Sequence, residues 1–351
     1  MINQNTLKGV LIILVIFDHN EYAHKIYPLF LAGFSFHVIG FLSLPFLRPA
    51  EPLGKKILEK MAFSYYYPFF WIVCGMALLN SLISQSQSTL DSSVFNFLLA
   101  LYSGNSQVLK HVTQMSLLWF LPSFFSLMLI RGALASSGKA IQTFFLISIS
   151  LAHFYIGIFA SEIRNFIPLG LLPTIYAFPL ILIIVKFHQS IFEKFNRANA
   201  FLLIITAFSI VKYSQIKMGL SQELGFAMVA DYRNLPAMIV NDLEAITGTL
   251  MLFQLARFNL GQLIQRSGQN SLQIYLFHAF IALIIFKLIE KNLPNTSMNI
   301  RLVISMVITL LLTLLIAKFI MKNEALKRFL FPRSWNELLH NVDVISNTRK
   351  I

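Results

Sequence analysis

Several ionisable side chains stand inside long apolar runs, where a charge is costly and an ionisable group is a functional candidate. The first such run ends in Asp18 and His19, with Glu21 and His24 just beyond. Later runs carry His37, His153, the group Asn241, Asp242 and Glu244, and finally His278. Imidazole suits general acid–base work, because its unperturbed pKa of about 6.5 lets it take up and release a proton near neutrality. Each histidine also has a plain reading as a neutral, hydrogen-bonded interior group, and His153 fits that reading best. Lys8 and His19 are eleven positions apart, nearly three helical turns, which puts them on one face about 16 Å apart along the axis. That stripe could hold a long anionic ligand at one end and act on its other end. Equally, Lys8 could anchor the helix at the headgroups while His19 caps its far end. Asp18 leaves the same helix about 100° from His19, so it is not obviously the carboxylate that orients this imidazole. Asp242 and Glu244 diverge by about 200°, so at most one faces a given cavity, whereas Asn241 and Glu244 share a face. One of these acids could pair with a basic side chain on a neighbouring helix, or take a substrate or catalytic role. Cys74 is the single cysteine; it excludes an intrachain disulfide and most thiolate metal sites, and no metal is expected.

The elements that position these groups follow from composition. Of 351 residues, 56% are hydrophobic and 12% charged, and the mean hydropathy is +0.69. A soluble domain carries about 25% charged residues, so this chain lacks the polar coat a water-facing surface needs. Lipid requires no such coat, and the 34 phenylalanines and 11 tyrosines suit it. Crossing a bilayer takes about 17–25 apolar residues. Such runs lie near 6–24, 29–47, 61–83, 114–131, 140–160, 166–186, 199–217, 235–256, 271–289 and 301–320, so the expected fold is an all-α polytopic bundle of about ten transmembrane helices. The run 93–102 is too short to span. Pro68, Pro122, Pro173 and Pro179 fall within spans and predict kinks. The N-terminal run has no small-residue cleavage site after it and is expected to be retained as the first helix.

Charge placement tests the count. With the N-terminus inside, ten spans put nineteen of the 28 basic residues on the cytoplasmic side and nine outside, as the positive-inside rule asks. The C-terminal tail, with Lys318, Lys322, Lys327, Arg328 and Arg333, then flanks the membrane on the inside. The net charge of +13 therefore reflects topology and argues against nucleic-acid binding. One membrane domain over 1–322 and a basic cytoplasmic tail over 323–351 are expected, with both termini cytoplasmic.

Five stretches, taken in order, resemble the bacterial acyltransferase-3 membrane proteins. They are Leu7-Lys8-Gly9 through Asp18-His19; Phe34-Ser35-Phe36-His37-Val38-Ile39-Gly40-Phe41-Leu42; Lys55-Lys56 and Lys60 running into Tyr65-Tyr66-Tyr67-Pro68; Leu118-Trp119-Phe120-Leu121; and Gly268-Gln269-Asn270-Ser271-Leu272-Gln273-Ile274-Tyr275-Leu276-Phe277-His278. The resemblance runs through most of the chain. Three features depart from the family pattern. Asp18 stands where glycine usually precedes the first histidine, Ser43-Leu44-Pro45 closes the second helix, and lysines replace two arginines in the basic loop. Lysine binds phosphate as a point charge without the arginine fork.

The resemblance implies an acyl-CoA-dependent O-acyltransferase of a cell-envelope glycan in the bacterial cytoplasmic membrane. Acetyl-CoA or another acyl-CoA would be the donor substrate, with no permanently bound cofactor. The glycan or its lipid-linked precursor would be the acceptor, and contacts with glycan-synthesis proteins would accompany that role. The resemblance carries over His19 as the catalytic histidine and Lys8 as the basic partner facing the donor; from the residues themselves, Asp18 and Glu244 are the candidate catalytic acids. On this hypothesis Lys8 with Lys55, Lys56 and Lys60 would hold the donor phosphates, and His37, Trp119, Tyr275 and His278 are candidates to face the acceptor. The alternative class is a proton-coupled secondary transporter or flippase, using Asp242, Glu244 and His153 as a relay. No internal repeat of the kind many transporters show is evident.

Overall fold

The computed structural model describes residues 2–31, 36–83, 90–113, 116–163, 167–192, 194–219 and 235–338. Phe34 and Ser35 of the second family-like segment, and the tail beyond 338 with His340, lie outside the described residues. All regular structure among the described residues is helical. The first half comprises α1 (Gln4–Asp18), α2 (Glu21–Ile26), α3 (Pro28–Leu31), α4 (Phe36–Ser43), α5 (Lys55–Met61), α6 (Tyr67–Ile83), α7 (Leu90–Ser103), α8 (Ser106–Thr113) and α9 (Phe120–Ala135). The second comprises α10 (Lys139–Ile163), α11 (Leu171–Phe187), α12 (Arg197–Lys217), α13 (Leu235–Leu255), α14 (Gln262–Gln269), α15 (Ser271–Asn292), α16 (Met298–Lys322) and α17 (Glu324–Leu330).

Among the described residues, nine segments are long and apolar enough to cross a bilayer, the first of them, Pro28–Leu47, running across residues outside the described set. The chain is an all-α polytopic membrane protein. Nine of the ten expected runs reappear within a few residues of their predicted bounds. The exception is 6–24, which breaks in two. Asn20 is the cause: its backbone is extended, and its side-chain oxygen accepts from the Tyr22 amide at 3.0 Å, so it starts α2 and ends α1. What remains, α1, has 15 residues, fewer than the roughly 17 of an uninterrupted crossing, and α2 continues the chain beyond the break.

Two further expectations are corrected. The lysines expected in a loop lie on a helix, because α5 runs through a π-turn (Ala62–Tyr66) into α6 as one apolar segment, Lys55–Leu79. All four prolines fall within apolar segments, but only two lie in a helix interior: Pro179 in α11, and Pro68 where the π-turn passes into α6. Pro122 and Pro173 fall in the first turns of α9 and α11, where proline is tolerated best.

The chain divides into two compact units. One comprises Met1–Arg48, Leu180–Phe226 and Tyr232–Phe319; the other comprises Pro49–Pro179, Ala227–Asp231 and Ile320–Ile351. In the first, α1 packs on α14, α15, α4 and α13, and α12 packs on α13. The α1–α14 crossing brings backbones into contact: a Cβ on Gly9 would overlap the Ile264 carbonyl, and one on Gly268 the Asn5 carbonyl. Gly248 receives the Phe36 ring in the same way, and Thr249 Oγ1 donates to the Phe36 carbonyl at 2.8 Å, seating α4 on α13. In the second unit, α9 receives the 169–170 turn. Leu169 there has φ 55°, and Ser126 Oγ donates to its carbonyl at 2.7 Å.

Candidate functional site

Five helices of the first unit contribute to one polar cluster. α1 supplies Asp18 at its last residue and His19 at its C-cap, with the His19 amide still bonded to the Val15 carbonyl at 3.1 Å. The helical register from Lys8 therefore carries through to His19, and both side chains are half-buried. The His19 ring lies against His278 of α15, with centroids 5.3 Å apart and planes inclined at 38°. Asp18 meets the ring of His37 on α4, with Oδ2 3.6 Å from Nε2. This is the partner that one helix's register could not supply, since the adjacent His19 projects elsewhere.

His278 is wholly buried, and Nδ1 lies 2.7 Å from the Tyr275 carbonyl and 3.2 Å from the Ile274 carbonyl. A carbonyl can only accept, so Nδ1 carries the proton and neutral His278 presents a lone pair at Nε2. That Nε2 is buried and has no hydrogen-bond partner among the described residues. Tyr275 follows one turn away, its ring centroid 6.0 Å from His278.

On α13, Glu244 is fully buried, and Lys212 Nζ of α12 sits 3.6 Å from its Oε1. Lys212 also donates to Gln215 Oε1 at 2.7 Å, lies 5.4 Å from the Phe30 ring, and Gln215 donates on to Asn241. Asn241 and Glu244 thus share the buried face their spacing requires, while Asp242 is only half-buried. Asp18 and Glu244 lie within electrostatic reach of each other, joining the α1 and α13 parts of the cluster. Sequence reasoning missed Lys212 and Gln215. The available signal was one lysine inside the run 199–217, a position where a charge needs a partner.

Basic residues collect at the end of this unit where α1 begins. Lys8 is within electrostatic reach of Arg48, Arg48 donates to Gln4, and Arg257 donates to Gln254 Oε1 at 2.6 Å. Arg266 lies on α14, the helix crossing α1 there.

The remaining predicted residues belong to the second unit. Lys55, Lys56 and Lys60 are exposed on α5. Trp119 is 4% exposed, within ring contact of Phe120, a packing position. His153 donates through Nδ1 to the Tyr176 carbonyl at 2.8 Å and stacks on that tyrosine at 4.4 Å, as a structural interior histidine would. Among the described residues, no three His, Cys, Asp or Glu side chains are grouped to hold a metal ion. Compared with protein-family models, curated proteins and solved structures, the chain matches none.

Proposed function

We propose that the chain is a membrane O-acyltransferase, moving an acyl group from cytoplasmic acyl-CoA to a sugar hydroxyl of a cell-surface polysaccharide or its lipid-linked precursor. Acetyl-CoA is the expected donor and the bacterial cytoplasmic membrane the expected location; α1, continued by α2, is taken as a tenth crossing beside the nine long apolar segments, which leaves both termini inside. The observation that carries this reading is the His19–His278 pair, two imidazoles from separate helices, one with its tautomer set by the backbone. Two such rings suit adjacent sugar hydroxyls. His19 takes the proton of the reacting hydroxyl while His278 Nε2 accepts a hydrogen bond from its neighbour. The hydroxyl oxygen attacks the thioester carbonyl, the C–O bond forms, the C–S bond breaks, and the proton passes from His19 to the departing CoA thiolate. Asp18 and His37 brace the end of α1 beside His19. Lys8, with Arg48, Arg257 and Arg266, supplies cations for the CoA phosphates at the other end of α1. Mass spectrometry of envelope glycans from a strain lacking this protein tests the proposal. One missing acyl group, restored by the wild-type chain and not by His19→Ala, supports it; an unchanged glycan profile overturns it.

The buried Lys212–Glu244 pair, within electrostatic reach of Asp18, favours proton-coupled transport as a second reading, since buried ionisable pairs mark such relays. Movement of a glycan precursor across proteoliposomes without its acylation would select that class.

A further inference from the structure

The far end of the first unit from Lys8 holds a second polar cluster that the acyl-transfer chemistry does not use. Arg301, in the first turns of α16, is 8% exposed although it carries a permanent charge. Its Nη1 lies 3.4 Å from Glu290 Oε1 on α15, and its Nη2 donates to the Pro294 carbonyl. Its Nε is buried and has no hydrogen-bond partner among the described residues. Lys25 of α2 reaches the same Glu290 oxygen at 3.8 Å, held over the Phe286 ring at 4.9 Å. Tyr22, wholly buried, packs its ring on Phe286 at 5.0 Å, and its hydroxyl is buried near Glu290 and Arg301 with no hydrogen-bond partner among the described residues. Two cations thus share one carboxylate, leaving a net positive charge beside an unsatisfied guanidinium N–H and a phenol. The N-terminal end of α16 adds its own positive partial charge.

A buried stripe leads from this cluster towards the histidines. Arg301, Ser305, Thr309 and Thr313 recur every four residues on α16 and are all buried, so they line one inward face. Asn20, the residue after His19, donates through Nδ2 to Ser305 Oγ at 2.9 Å. Arg301 is one helical turn, about 6 Å, along α16 from that contact.

We infer that Arg301, Lys25 and Tyr22 form a binding site for an oxyanion of the phosphate type. Resting on the acyl-transfer reading, the ligand is an acceptor whose anionic group docks here while its hydroxyl reaches His19. A guanidinium and an ammonium converging on one point recognise phosphate oxygens by charge-assisted hydrogen bonds, and the free Nε–H supplies a donor that Glu290 leaves unused. The same chemistry would take the headgroup phosphate of a bilayer lipid, and the test separates the two sources.

The test measures binding directly and needs no acyl transfer, so its failure is distinct from failure of the enzyme reading. The full chain, purified in detergent, is melted with and without inorganic phosphate at constant ionic strength, chloride serving as the control. In parallel it is melted in nanodiscs of phosphatidylglycerol and of phosphatidylcholine. The expected result is stabilisation by phosphate, with the apparent Kd weakened roughly tenfold to a hundredfold in Arg301→Gln and partly recovered in Arg301→Lys. Stabilisation by phosphatidylglycerol, with no response to free phosphate, supports the site and assigns it to a lipid headgroup. If Arg301→Gln does not fold, Lys25→Gln and Tyr22→Phe are read in the same way. A wild-type protein indifferent to both anions, or variants that respond as the wild type does, would overturn the inference and reduce Arg301 to a staple for the α15–α16 turn.

Discussion

A lysine and a glutamate buried together give up hydration that their attraction repays only while both are present. Lys212 and Glu244 are 3.6 Å apart with side-chain exposures of 6% and 0%, so Glu244→Gln leaves an ammonium buried without its counter-charge. The expected loss is about 3–5 kcal/mol of stability, measured by denaturant unfolding in detergent. Lys212→Met combined with Glu244→Gln should recover much of it, and additive losses would show that the pair does not interact. The histidines separate by kinetics. His19→Ala should lower kcat by roughly a hundredfold to ten-thousandfold, whereas His278→Ala should act mainly on the acceptor KM, losing one hydrogen bond to the substrate. A kcat collapse confined to His278→Ala would exchange their roles. At this scale the sequence disclosed which groups were out of place in apolar runs, and the shared face of Asn241 and Glu244. It did not disclose Asp18–His37, because that contact joins two helices and no one-helix register contains it. Lys212 was passed over because one basic residue in an apolar run reads as a blemish until a buried acid is seen opposite it.

Helix crossings decide whether these groups meet. α1 and α14 touch through Gly9 and Gly268, where any side chain meets backbone that cannot rotate away. Gly9→Ala and Gly268→Ala should each cost about 1–3 kcal/mol or more, and should abolish activity by separating α1 from the helix leading into His278. Gly75→Ala is the control: nothing lies near its added Cβ, and the change should be neutral or stabilising by about 0.4–1 kcal/mol. Equal loss at all three would mean that helix content, and not close approach, is at stake. The spans were legible at this scale because long apolar runs report directly on the bilayer. The break after Asp18 was legible only in part. Asn20 followed by Glu21 is a helix-start signal, yet within a long apolar run the length signal masks it. Pro122 and Pro173 misled for a related reason: position within an apolar run does not reveal position within a helix, and first-turn proline is benign.

Across the whole molecule, large apolar side chains stand outward on the long helices, as with Phe144 at 73% exposure on α10 and Phe319 at 63% on α16. In water such a surface would aggregate; in acyl chains it is at home. The proposed orientation is open to cysteine labelling in a Cys74→Ser background. Lys291→Cys should react with an impermeant maleimide in intact cells, and Lys56→Cys only after the membrane is opened; the reverse pattern would invert the topology and place the Lys8 end outside. The division into two compact units was not legible, since no linker or change of composition marks it, and contacts between distant segments define it. The central claim, acyl transfer at the His19–His278 pair, is tested most directly with radiolabelled acetyl-CoA and membranes carrying either the wild-type chain or a normally inserted His19→Ala chain. Label passing into glycan with the wild type, and not with the variant, is the predicted result. Full labelling by His19→Ala, or none by the wild type, would contradict it.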